Sequence, residues 1–153
     1  MIQSNMRRMT VALLAMSLAS CVGTGTAPRS DAATAASHYA AGISQLQARN
    51  YKQAKAELTK AQPFRTGDAR ALMALAVASD MQGDFRTADR AYAELTKKGG
   101  DQAMLFNNMG YSYMLRGDLD RAISYLTEAA RRAPDNPTIR NNIAMLRAVV
   151  PTR

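Results

Sequence analysis

Tryptophan is absent from this chain of 153 residues, cysteine occurs once, at Cys21, and histidine once, at His38. A lone thiol excludes an internal disulfide, so stability has to come from packing. One histidine and one cysteine, with no Asp and Glu clustered around them, supply neither a nucleophile triad nor a zinc site. A glycine-rich phosphate loop is missing too. His38 falls at a helix packing position, where a structural role outweighs general-base work. The expectation is a protein without enzyme activity, cofactor, metal or small-molecule substrate. Runs rich in Val, Ile and Thr with strand alternation are lacking, and so is the stretch of roughly 20 apolar residues that a spanning helix needs.

What is present begins with an export signal. Arg7 and Arg8 make a positive start, and Met9, Val11, Ala12, Leu13, Leu14, Ala15, Met16 and Leu18 form a short apolar centre. Met1, Met6 and Met9 are all open as the start. The sole cysteine closes this segment in the run Leu18-Ala19-Ser20-Cys21. That run resembles the lipobox of bacterial lipoproteins, which implies removal of residues 1–20 and acylation of Cys21. A single acyl chain gains only about 0.8 kcal/mol per buried methylene, so several chains are what would hold the protein to a membrane. In that family an aspartate after the cysteine implies inner-membrane retention. Val22 stands there instead, so the resemblance implies the outer membrane, with the body facing the periplasm.

Lys and Arg number 20 against 12 Asp and Glu, a formal charge of +8, and losing Arg7 and Arg8 would leave +6. Arg131, Arg132, Arg140, Arg147 and Arg153 gather toward the C-terminal end, where solvated helix faces are favoured over an anionic partner. Export argues against nucleic acid. Residues 21–34, with Gly23, Gly25 and Pro28, read as the acylated cysteine and a flexible tether. Beyond them the chain is rich in Ala, Leu, Met and charged residues, a helical composition.

A repeat organises that body. Asn50-Tyr51, Asp84-Phe85 and Asp118-Leu119 recur every 34 residues, each followed by an alanine, Ala54, Ala88 and Ala122. Small residues keep the same period at Gly42, Ala76 and Gly110, and large ones at Leu58, Tyr92 and Leu126. Gly83 and Gly117 mark turns, with Arg49 at the corresponding place. The pattern resembles the tetratricopeptide repeat, most closely over Phe106, Met109, Gly110, Tyr113, Gly117, Ala122, Leu126, Ala129 and Pro134. The resemblance implies an all-α superhelix of three helix-turn-helix repeats, 35–68, 69–102 and 103–136, with a capping helix at 137–149. First helices are expected at 35–48, 69–82 and 103–116, and second helices at 51–62, 85–98 and 119–132. Asp68, Asp101 and Asn136 before Pro137 are candidate N-caps. Ile143 and Ala144 are expected to pack, and Arg140 and Arg147 to face solvent. Pro63 and Gly100 depart from the family proline position while still breaking a helix.

In that family the first helices line a groove that grips a partner segment. Carried over by phase, the groove holds Tyr39, Ile43, Gln47, Arg70, Met73, Val77, Asp80, Met81, Met104, Asn107, Tyr111, Met114, Leu115, Asn141 and Met145. Its five methionines are adaptable to an apolar segment, and its asparagines and tyrosines can satisfy a partner's backbone. Asn108 and Asn142 are equally suited to bridging helices. The order of signal, tether and three repeats resembles pilotin-like assembly lipoproteins, above all that of the tight-adherence (Flp) pilus, which implies a secretin or another envelope protein as client. Two alternatives stay open: an adaptor for peptidoglycan hydrolases or barrel assembly, and a soluble cytosolic scaffold with a misassigned start.

Overall fold

The computed structural model describes residues 31–149, so the expected signal, Cys21 and residues 21–30 of the tether lie outside the described residues. Eight helices follow one another: α1 (Asp31–Gln47), α2 (Tyr51–Lys60), α3 (Pro63–Thr66), α4 (Ala69–Asp80), α5 (Phe85–Lys98), α6 (Gln102–Leu115), α7 (Leu119–Arg132) and α8 (Pro137–Val149). Among the described residues there is no strand, and no helix is long and apolar enough to cross a membrane. The fold is all-α. Helices α1, α4 and α6 pair with α2, α5 and α7, and α4 also touches α1 and α6, so α1, α4, α6 and α8 make one side of the stack.

Capping residues set the helix starts. Asp68 accepts from the amides of Arg70 and Ala71, Asp101 from those of Ala103 and Met104, and Asn136 from those of Thr138 and Ile139. Each bond satisfies an amide that the first helical turn leaves without a partner. The periodic acidic residues are caps as well: Asp84 accepts from the Thr87 amide and Asp118 from the Arg121 amide. Asn50 makes no cap bond and donates instead to the Gln45 side chain at 3.0 Å. Lys55 reaches Asp84 at 2.6 Å and ties α2 to the start of α5. That bond holds the Asp84 carboxyl at about 2. Its stabilising contribution is therefore present above the ordinary carboxylate range and is lost as pH falls toward 2.

Small residues let the paired helices approach. A Cβ built on Gly42 would lie 2.5 Å from Leu58 Cγ, and one on Gly110 would lie 2.7 Å from Leu126 Cγ and 3.2 Å from its backbone nitrogen. Leu58 and Leu126 are buried in those contacts, and Tyr92 shares a core cluster with Ala76 in the middle pair. Three core clusters result, one for each repeat, bridged by partly buried side chains such as Phe64, which touches the first two.

The first repeat departs most from expectation. Helix α1 is already formed at Asp31, the first described residue and four before the expected 35, so residues 31–34 of the expected tether are helical, as Ala32 and Ala33 favour. Helix α2 stops at Lys60, short of 62, where Gln62 turns left-handed (φ 52°) and buried Pro63 opens the extra turn α3. Arg49 adopts φ 59° where Gly83 and Gly117 stand in the later repeats. An L side chain there costs about 1–2 kcal/mol that glycine avoids. At the other end Ile143 packs as expected, but Ala144 is exposed, since no helix follows α8 among the described residues to cover it.

Gly110→Ala is expected to cost about 1–3 kcal/mol despite alanine's better helix propensity, because backbone as well as side chain of Leu126 must move. Urea unfolding checks it, and Gly42→Ala, which meets side-chain atoms alone, should cost less.

Candidate functional site

The side of the stack built by α1, α4, α6 and α8 holds a groove with two compartments. The first, about 450 Å³, lies between α1, α4 and the start of α6 and is lined by Tyr39, Ile43, Leu46, Met73, Ala74, Val77, Leu95, Met104 and Leu105. Arg70 and Asp101 are its charged residues, and the Arg70 guanidinium lies 5.4 Å from the centre of the Tyr39 ring. The second, about 300 Å³, is lined by Val77, Asp80, Met81, Tyr92, Asn107, Asn108, Tyr111, Thr138, Asn141, Asn142 and Met145. Val77 belongs to both compartments. One half can take up apolar side chains; the other offers amide and hydroxyl groups.

Periodicity explains this division. Tyr39, Ile43 and Leu46 are spaced as one face of α1, and Met73 and Val77 as one face of α4, so each helix turns a stripe toward the groove. Buried residues of the same helices, among them Gly42 on α1 and Ala76 on α4, face their second helices.

Of the residues expected in the groove, Tyr39, Ile43, Arg70, Met73, Val77 and Met104 come together in the apolar half, and Asp80, Met81, Asn107, Tyr111, Asn141 and Met145 in the polar half. Met114 does not: it packs against the cluster of Ala122, Leu126 and Leu146, one helical turn beyond Gly110 on the side facing α7 and α8. Gln47 and Leu115 are exposed outside both compartments, and Leu46 takes the place expected of Gln47. Spacing of three from Ile43 was the signal for Leu46. Leu95 comes from a second helix, which a reading of first helices alone misses.

Asn107 needs a second correction. It is 1 % exposed, accepts from Asn142 Nδ2 at 2.9 Å and donates to Asn108 Oδ1 at 3.1 Å. Its amide is committed to joining α6 to α8 and is not offered to a partner. Asn108 and Asn142, the two with a bridging alternative, do bridge: Asn108 also donates to Met73 Sδ at 3.1 Å. Asn141 and Tyr111 remain as the polar groups turned to the groove.

Beneath the polar half sits a buried carboxylate. Asp80 is 5 % exposed and accepts from the Tyr92 hydroxyl at 2.8 Å and the Ser112 hydroxyl at 2.6 Å. Arg116 Nη2 lies 3.8 Å from it, donates to Ser112 Oγ at 2.9 Å and, with Nη1, grips Asp89. One network therefore joins α4, α5 and α6. Burial raises the Asp80 pKa against the pull of Ser112, Tyr92 and Arg116, and it also drives the Tyr92 hydroxyl far up, beyond deprotonation at any ordinary pH. His38, the lone histidine, bonds Glu57 at 2.8 Å between α1 and α2, away from the groove. Among the described residues no group of three or more His, Cys, Asp or Glu is placed to hold a metal ion.

Asp80→Ala is expected to destabilise by about 1–3 kcal/mol for each hydroxyl donor it strands, read by urea unfolding at pH 7. The sign with pH follows from the raised pKa. The folded state binds this proton more readily, so the group's contribution grows as pH falls from neutral toward the unfolded value of about 4. Asp80→Asn lacks that gain, and a wild-type minus Asp80→Asn difference in unfolding free energy that does not rise as pH falls from 7 to 4 would contradict the assignment.

A family model for the tetratricopeptide repeat matches residues 80–137, which span the end of α4, all of α5 to α7 and the first residue of α8. No curated protein matches the chain. Residues 80–137 are thus similar to the tetratricopeptide repeat, and the same stacking of paired helices runs from α1 to α7 beside the shared groove.

Proposed function

We propose that this protein is a lipoprotein of the outer membrane, anchored through Cys21 and facing the periplasm, whose groove holds another envelope protein during assembly of a pilus or secretion apparatus. The secretin is the favoured client, in the manner of a pilotin. The observation that carries the binding role is the divided groove: apolar side chains of a client segment enter beside Met73 and Met104, while its backbone meets Asn141 and Tyr111. Methionine side chains adapt to such a segment without a fixed shape. The charge of the groove suits a neutral stretch of chain, since Arg70 and Asp101 are of opposite sign in the apolar half and Asp80 is buried in its network. The anchoring role rests on Leu18-Ala19-Ser20-Cys21 and on Val22.

A photo-crosslinking residue at Tyr111 is expected to capture a secretin; capture of a peptidoglycan hydrolase would overturn the client assignment. Val77→Lys puts a charge where both compartments meet and should weaken capture about tenfold or more, with the thermal midpoint little changed. Fractionation tests the anchor: wild type belongs with the outer membrane and Cys21→Ser with the soluble periplasmic fraction. Soluble wild-type protein would refute it.

A further inference from the structure

Three methionine sulfurs on the groove side each accept from an asparagine amide. Asn108 donates to Met73 Sδ at 3.1 Å, Asn136 to Met104 Sδ at 3.6 Å and Asn141 to Met145 Sδ at 3.7 Å. Met73 and Met104 stand in the apolar half, and Met145, 42 % exposed, in the polar half. A thioether is a weak acceptor and leaves an amide donor poorly used. A sulfoxide oxygen, in the same place, is polar and uses it well. Met73 also packs against the core cluster that Met109 touches, but Met109 and Met114 differ in lining neither compartment of the groove.

We propose that Met73 and Met104 form a reversible oxidation site that closes the apolar half of the groove, with a peroxide as the oxidant. A sulfur lone pair attacks one oxygen of hydrogen peroxide; the O–O bond breaks as the S–O bond forms. The departing hydroxide takes the proton of the transferred oxygen and leaves as water, so the thioether loses two electrons and the peroxide gains them. Asn108 and Asn136 then donate to the new oxygens and keep them in the compartment. An apolar side chain entering it would have to strip water from two sulfoxides, an unfavourable exchange. Reduction by a dithiol-driven methionine sulfoxide reductase restores the thioether and the groove.

As a control on client binding, the inference rests on the reading of the groove given above, but its test needs no client. Full-length Cys21→Ser protein is titrated with the dye 8-anilinonaphthalene-1-sulfonate before and after peroxide, with oxidised methionines mapped by mass spectrometry. Dye affinity should fall about tenfold as Met73 and Met104 gain oxygen, and return after the reductase. In the double variant Met73→Leu and Met104→Leu, which conserves volume, affinity should stay within about twofold through the same treatment. The proposal is overturned if Met73 and Met104 remain thioethers once Met145 is fully converted. Unchanged affinity after their oxidation, or an equal loss in the double variant, overturns it too. Intact client capture beside any of those results would sink the oxidation site alone, whereas failed capture with the expected dye response would sink the client reading.

Discussion

The distance between paired helices is the constraint from which the rest of the fold follows. Gly42 against Leu58, Ala76 with Tyr92 and Gly110 against Leu126 each set a small residue on the first helix beside a large one on the second. Close packing of interiors leaves no slack for a change of one methyl at such a place. Once the first helix is pressed to its partner along that line, the opposite stripe of α1, α4 and α6 is left facing away. The groove is thus what remains on the far side of the helix contacts, and its residues are free to vary in chemistry while the contacts are not.

Polar chemistry enters the stack in two places with different consequences. Asp80, Tyr92, Ser112 and Arg116 form a network inside the junction of the second and third repeats, and Asn107 with Asn142 joins α6 to α8. Buried polar groups are expensive unless every member is bonded. Bonded except at the buried Arg116 Nε, they fix how one repeat sits on the next, a matter on which apolar contacts alone are permissive. The apolar half of the groove has no such network and is walled by flexible side chains. Rigidity of register on one side and adaptability on the other is a sound division for a surface that has to keep its shape and still accommodate a partner.

Much of this was legible in the sequence because the period of 34 residues fixes phase, and phase decides which residues pack and which line the groove. The helices from α4 onward, to within about two residues, and the side on which most expected groove positions lie follow from it, while Asp68, Asp101 and Asn136 were legible as local cap residues. The failures have local causes. Met114 sits where α6 is already turning toward α7 and α8, and a helix of 3.6 residues per turn does not hold a stripe indefinitely. Asn107 was assigned to a partner because composition does not reveal that a side-chain amide is already matched by another, Asn142. Ala144 holds a packing phase with no second helix beyond it among the described residues. Pro63 marked a break, but the extra turn α3 depends on Gln62 taking a left-handed conformation that nothing in its chemistry announces.

Among the described residues the left-handed ones other than glycine, Arg49 and Gln62, both belong to the first repeat, at either end of α2. Conformational cost is therefore concentrated in the first repeat of a quasi-linear stack, which among the described residues is supported by a neighbouring repeat from one side only. Local opening in such arrays starts where the unit is weakest, so amide protons of α1 and α2 exchange ahead of those of α4 to α7. Because Tyr39, Ile43 and Leu46 of α1 are one wall of the apolar compartment, breathing of that first pair widens the groove from the α1 side. A client segment too bulky for the resting compartment gains a way in without any rearrangement of the repeats that hold the register.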